Sequence, residues 1–164
     1  MDICALASGS SGNSTFLRTE HSRILIDAGV SLRQLTRRLQ DIDEDIDRLD
    51  AVVITHEHSD HTHAIPKLHV PVYVASSTAH LWEEKVASLR FFESDRQFQI
   101  NDLHTTPFSV PHDAVDPVGF TIETDRYKKL AIATDIGTIT GLVTERIKGC
   151  NALVIEFNHD NEIL

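Results

Sequence analysis

Cysteine is scarce in this sequence, which has only Cys4 and Cys150 among its 164 residues. Two widely separated cysteines do not make the disulfide framework of a small secreted domain, and they fit reduced, buried thiols better. Neither belongs to a Cys-x-x-Cys pair, which disfavours a cysteine-based metal site. We therefore expect a protein of a reducing compartment.

Long apolar runs are also lacking. None approaches the roughly 20 residues that cross a membrane as a helix. At the amino terminus, Asp2 stands where a signal peptide carries cations, and the apolar run at residues 3–7 is too short for one. These features predict a cytoplasmic protein with no membrane partner.

Positive charge is in short supply, since 15 Lys and Arg face 25 Asp and Glu and the formal net charge is −10. This balance argues against a broad basic footprint for nucleic acid. It leaves room for a nuclease, because bound divalent cations invert the charge of a local site. With 41% hydrophobic residues, the chain can bury a core, and we take residues 1–164 as one domain.

Four metal-ligating side chains lie within six residues: His56, His58, Asp60 and His61. They follow residues 51–54, a β-branched apolar run that predicts a buried strand. On extended backbone His56 and His58 point the same way and can hold one cation together. Asp60 and His61 come where we expect the chain to turn into a helix, and they can face a second cation. Imidazole with carboxylate suits zinc, iron or manganese, whereas a merely solvated polar loop does not require this spacing.

The pattern His-x-His-x-Asp-His resembles the signature of the metallo-β-lactamase fold superfamily. His112, within Val-Pro-His-Asp, looks like the isolated third histidine of that family, and Asp135 looks like its bridging aspartate. Residues 8–14, Ser-Gly-Ser-Ser-Gly-Asn-Ser, and residues 156–160, Glu-Phe-Asn-His-Asp, are similar to the YycJ (WalJ)-type subgroup, which is related to exonucleases.

The resemblance implies an α/β (α+β) fold, namely the αββα sandwich, in which two sheets pack face to face with helices outside. This chain is expected to hold the first half of that fold and the opening of the second. The family's final histidine, in a Gly-His context, has no match here, so we expect a C-terminally incomplete domain in which His159 is a candidate stand-in. We expect such a chain to bind the first cation, the one held by His56 and His58, more tightly than the second and to be nearly inactive alone.

The resemblance also implies two divalent metal ions, with zinc preferred and manganese or iron as alternatives. His56, His58 and His112 would hold the first ion, Asp60 and His61 the second, and Asp135 would bridge both. Asp60 and Asp135 are the carboxylates with an expected catalytic role. Zinc lowers the pKa of bound water from about 15.7 to about 7, which makes a nucleophile available at neutral pH. Asp27, at the end of a predicted strand, either orients a ligand imidazole or serves as a turn residue.

The implied function is a metal-dependent hydrolase that cleaves phosphodiesters in DNA or RNA, with a 5′→3′ exonuclease as the form typical of the subgroup. One alternative is a mononuclear iron oxygenase of the same fold. Another is an incomplete, noncatalytic chain that binds metal. His61 favours a second metal site and so the hydrolase.

Three further segments carry structural predictions. Ser31 and Gln34 match a capping box at the start of a helix, and residues 79–89 predict another helix. Residues 9–13 form a Gly/Ser loop without the Gly-Lys-Ser/Thr ending of a nucleotide-binding loop. This loop is either a flexible turn or a segment whose backbone N–H groups line the substrate site. His63, His69 and His80 are expected to be surface residues rather than ligands.

Overall fold

The first of two sheets in the computed structural model has six strands. The structure describes residues 1–126 and 128–156, and the predictions for His159 and for Glu-Phe-Asn-His-Asp beyond Glu156 lie outside those residues. The strands run across the sheet in chain order: β1 (Asp2–Ala7), β2 (Ser14–Arg18), β3 (Arg23–Ile26), β4 (Ala51–Val53), β5 (Val72–Ala75) and β6 (Leu89–Phe92). The first three are antiparallel, and β3 to β6 are parallel.

The second sheet has five strands, which lie in the order β11, β10, β9, β8, β7. Their bounds are β7 (Phe98–Ile100), β8 (Leu103–Ser109), β9 (Val118–Thr124), β10 (Lys129–Ala133) and β11 (Ala152–Ile155). Strands β7 to β10 are antiparallel, and β11 pairs in parallel with β10.

The two sheets face each other across one apolar core. Leu17, Ile24 and Val53 of the first sheet pack with Phe120 and Ile132 of the second. All five side chains are fully buried. Because side chains alternate along a strand, the other face of each sheet must be covered separately.

Helices supply that cover. Helix α1 (Leu32–Gln40) buries Leu35 and Leu39 against the outer face of the first sheet. Helix α3 (Gly141–Ile147) buries Val143 in a smaller cluster on the second sheet. The layers therefore run helix, sheet, sheet, helix, which confirms the predicted αββα sandwich. None of the helices in the described ranges is long and apolar enough to span a membrane.

The capping box of α1 is present, since Ser31 Oγ accepts the Gln34 N–H and the Ser31 N–H donates to Gln34 Oε1. The prediction of a helix at residues 79–89 is wrong. A 3₁₀ helix at Ser76–Leu81 is followed by turns and then by β6, which pairs in parallel with β5. Burial of Phe92 between the sheets, stacked on Phe98 at 5.3 Å, outweighs the local helical pattern.

Helix α2 (Ser59–Thr62) is short, and backbone hydrogen bonds to neighbouring loops hold it in place. Asp60 O accepts the Asn13 N–H at 2.7 Å, and His61 O accepts the Ala28 N–H at 2.8 Å. A Cβ placed on Gly29 would lie 1.4 Å from Asp60 O. The close contact therefore requires glycine at position 29.

Gly29→Ala should lower the free energy of unfolding by about 3 kcal/mol, the upper end of what overpacking costs, because the obstacle is backbone and cannot rotate away. Gly141→Ala is the matched control, since a Cβ there meets nothing within 4 Å. Urea denaturation of both variants measures the difference. Equal stability of the two would show that α2 does not depend on this contact.

Candidate metal centre

Three imidazoles converge where β4 and β8 end. His56 follows β4, His58 is the N-cap residue of α2, and His112 lies in the loop after β8. His112 Nε2 is 3.2 Å from His58 Nδ1, and the His56 ring lies 4.7 Å from each of the other two rings. One ring nitrogen from each histidine fits within a span of 4.8 Å. This is the group predicted to hold the first metal.

The state of His56 shows that the group fits a cation. Its Nε2 is buried and has no hydrogen-bond partner in the described part of the chain, whereas its Nδ1 lies 3.0 Å from Thr55 Oγ1. A buried nitrogen without a partner is costly unless something binds it. Burial, aided by the neighbouring imidazoles, lowers the pKa of His56 to about 3. The ring is therefore neutral at physiological pH, which is the form that ligates metal.

A second donor group lies beside the first and shares His56 with it. It consists of His56, His61 and Asp135, again with donor atoms within 4.8 Å of one another. His61 Nε2 is 2.7 Å from Asp135 Oδ2 and 3.6 Å from Asp60 Oδ2. Asp60 therefore borders this group with a partly exposed carboxylate. The structure thus brings together all six predicted ligands.

His61 is fully buried between two carboxylates. Its Nδ1 lies 2.8 Å from Asp27 Oδ2, on the side opposite Asp135. Burial lowers the pKa of His61, but Asp27 and Asp135 outweigh it and raise that pKa to about 10. In the metal-free protein the ring is consequently charged, and it offsets one of the two carboxylate charges. Nε2 is also the atom through which His61 would bind a metal.

Asp27 occupies the position of an imidazole-orienting residue, so the predicted contact is confirmed. Its carboxylate accepts hydrogen bonds from the Thr55 N–H at 2.8 Å and the Thr55 hydroxyl at 2.9 Å, besides contacting His61. Asp27 and Asp135 both follow strands and both have positive φ, 62° and 54°. Such backbone is uncommon outside glycine and is concentrated at functional sites.

The donor groups open onto a cleft of about 180 Å³. Its lining residues come from the segments that follow β1, β4, β8, β10 and β11: Gly9, Ser10, Asn13, His58, Asp60, His112, Asp135 and Glu156. Of the two interpretations of the Gly/Ser loop, its position favours the one in which it lines the site. His63, His69 and His80 are exposed and belong to neither donor group.

Sequence reasoning missed two residues of this site, Asn13 and Thr55. Asn13 Nδ2 lies 3.0 Å from His61 Nε2, and Thr55 links Asp27 to the histidines. Nearby, Glu57 accepts the Val115 N–H at 2.9 Å and so ties the His112 loop to the end of β4. Asparagine in a Gly/Ser loop and threonine after a strand are too common to have signalled these roles.

Residues 22–163 match the family model of the beta-lactamase superfamily domain, and the chain belongs to that superfamily. Membership implies divalent metal binding. The chain is 36% identical, over 97% of its length, to Exodeoxyribonuclease WalJ of Streptococcus pneumoniae serotype 2 (strain D39 / NCTC 7466). It is 32% identical, over 100% of its length, to Exodeoxyribonuclease YycJ of Bacillus anthracis. These matches confirm the subgroup resemblance.

The chain spans 63% and 65% of the length of those two relatives. Among solved structures, Zn(2+)-bound PqqB from Methylobacterium extorquens is similar, with a TM-score of 0.70 and 18% sequence identity. The match covers 88% of this chain and 59% of PqqB. At that identity the likeness establishes the fold alone.

Asp27→Asn should weaken metal binding at the His61 group by about 10- to 100-fold, because the ring loses the carboxylate that orients it. Asp102→Asn is the control, because Asp102 also accepts hydrogen bonds from two hydroxyl groups, those of Thr19 and Ser22. These two residues lie in the turn before β3, at the end of that strand away from the metal centre. Titration against a chelator measures both. The assignment is wrong if the two variants bind metal alike.

Proposed function

We propose that this chain forms the metal-binding core of a phosphodiesterase that acts on DNA, with RNA as an alternative substrate and with the exonuclease activity named for its relatives. The observation that supports this most is the pair of adjacent donor groups sharing His56 at one cleft. We place the activity in the cytoplasm.

In this proposal His56, His58 and His112 hold one divalent cation, and Asp60 and His61 hold the other. Asp135, a member of the second donor group, would be a ligand to both cations. Zinc is the preferred metal, with manganese or iron as alternatives. When bound, such cations lower the pKa of a coordinated water and neutralise charge on a phosphoryl oxygen.

The remaining residues position these donors. Asp27 and Thr55 fix the His61 ring from behind, so that its Nε2 faces the cleft side. Glu57 holds the loop that carries His112, while Ser77 and Ser94 donate hydroxyl hydrogen bonds to Asp116 of the same loop, at 2.8 and 3.0 Å. Donors anchored this way need little reorganisation during a reaction.

The charge of the cleft makes substrate binding depend on metal. Its acidic lining residues are Asp60, Asp135 and Glu156, and no lysine or arginine lines it among the described residues. A phosphodiester is anionic and would be repelled by this lining alone. We therefore expect nucleic acid to bind only after cations have bound.

The second donor group also bears on the alternative activity. A mononuclear iron oxygenase needs only one set of ligands, and the pairing of His61 with Asp135 has no role in it. The hydrolase uses both groups. The geometry therefore favours the hydrolase.

The full-length protein should hydrolyse bis(p-nitrophenyl) phosphate when zinc or manganese is supplied, and a β-lactam reporter should remain uncleaved. The physical reason is that the second group combines the His61 imidazole with carboxylates. A cation held by these donors can bind a phosphoryl oxygen. Colorimetric assays of both substrates, with a chelated sample as control, measure this. Lactam turnover without phosphodiester cleavage would reverse the assignment.

A further inference from the structure

Asn13 contacts the metal centre through its backbone and its side chain, although it is not one of the predicted metal ligands. The residue is 4% exposed. Its N–H donates to Asp60 O at 2.7 Å, and its carbonyl accepts the Gly29 N–H at 2.8 Å. The backbone of Asn13 therefore anchors the Gly/Ser loop to α2, which leaves the role of its side chain to be explained.

The orientation of the side-chain amide is fixed by a neighbour that can only donate. The Gly9 N–H donates to Asn13 Oδ1 at 3.0 Å. Nδ2 must then be the atom that faces His61 Nε2, at 3.0 Å. The amide thus directs N–H groups toward the centre rather than an oxygen.

His61 Nε2 cannot serve as a lasting acceptor for that amide. When Nε2 carries a proton, it donates to Asp135 Oδ2, 2.7 Å away. When Nε2 is bare, its lone pair is the one that a cation requires. In both states Asn13 Nδ2 is a buried donor without an available lone pair, and it has no other hydrogen-bond acceptor within the described residues.

The cleft shows which acceptor is suitable. Asn13, Gly9 and Ser10 line it together with His58 and His112. A phosphoryl group entering there meets acidic side chains and no cationic one from the described chain, so each fixed N–H donor matters for its oxygens. We propose that Asn13 Nδ2 donates a hydrogen bond to a phosphoryl oxygen of the substrate, which makes Asn13 a catalytic residue of the site. This rests on the proposed function in that the ligand is a phosphate ester.

Asn13→Asp removes the donor and keeps the size of the side chain and its acceptor for the Gly9 N–H. In zinc-loaded full-length protein, this change should weaken binding of thymidine 5′-monophosphate at least about tenfold, in line with hydrogen bonds to charged groups. Zinc stoichiometry should stay at the wild-type value. Isothermal titration calorimetry and metal analysis measure the two quantities, neither of which depends on turnover.

Asn151→Asp is the matched control, because Asn151 Oδ1 also accepts a backbone N–H, that of Lys129 at 2.9 Å, at an exposed position. It makes the same change in charge and should leave nucleotide affinity unchanged. Equal affinity of the Asn13 and Asn151 variants overturns the proposal. So does loss of a zinc equivalent in Asn13→Asp, since Asn13 would then act by holding Asp60 and His61 in place.

A measurement on the wild-type protein covers the case in which Asn13→Asp does not fold. The side-chain amide resonances of Asn13 in ¹⁵N-resolved NMR spectra should shift when thymidine 5′-monophosphate is added to the zinc-loaded protein. Unchanged resonances at saturating nucleotide would contradict the proposal.

The outcomes separate this inference from the proposed function. Nucleotide binding that depends on Asn13, in a protein that cleaves no phosphodiester, supports the phosphate contact and overturns the phosphodiesterase activity. Phosphodiester cleavage with nucleotide affinity independent of Asn13 supports the activity and overturns the contact.

Discussion

The contact of His61 with two aspartates is the interaction on which this site depends. Asp27 lies 2.8 Å from Nδ1 and Asp135 lies 2.7 Å from Nε2, so the ring joins the first sheet to the second. A fully buried imidazole between two carboxylates is stable only while positive charge balances them. In the metal-free protein a second ring proton supplies one positive charge, which offsets half of the carboxylate charge. The donor chemistry of the site suits a divalent cation in place of that proton.

Backbone contacts around helix α2 hold that ring in position. Helix α2 is too short to be stable alone, and backbone hydrogen bonds from Asn13 and Ala28 fix it to the loops after β1 and β3. Gly29 allows the close approach, because any side chain there would collide with Asp60 O. The two sheets bring Asp27 and Asp135 to the same place, since each follows a strand that ends at the site edge.

Much of this could be predicted from sequence because the donor residues are chemically distinctive and closely spaced. The strand before His56, the paired sheets and the convergence of His112 and Asp135 on the cluster follow from periodicity and from the family resemblance. Residues 79–89 were mispredicted because parallel pairing of β6 and burial of Phe92 are long-range effects that a local pattern does not contain. Asn13 and Thr55 were missed for a different reason, since their roles arise from hydrogen bonds that only the folded chain creates.

Anomalous X-ray diffraction at the zinc edge, from crystals of the zinc-loaded full-length protein, tests the central claim most directly. The account predicts one anomalous peak among His56, His58 and His112 and a second beside His61 Nε2 and Asp60, with Asp27 still bound to His61 Nδ1. A single peak at the three histidines, with His61 Nε2 still against Asp135, would contradict it.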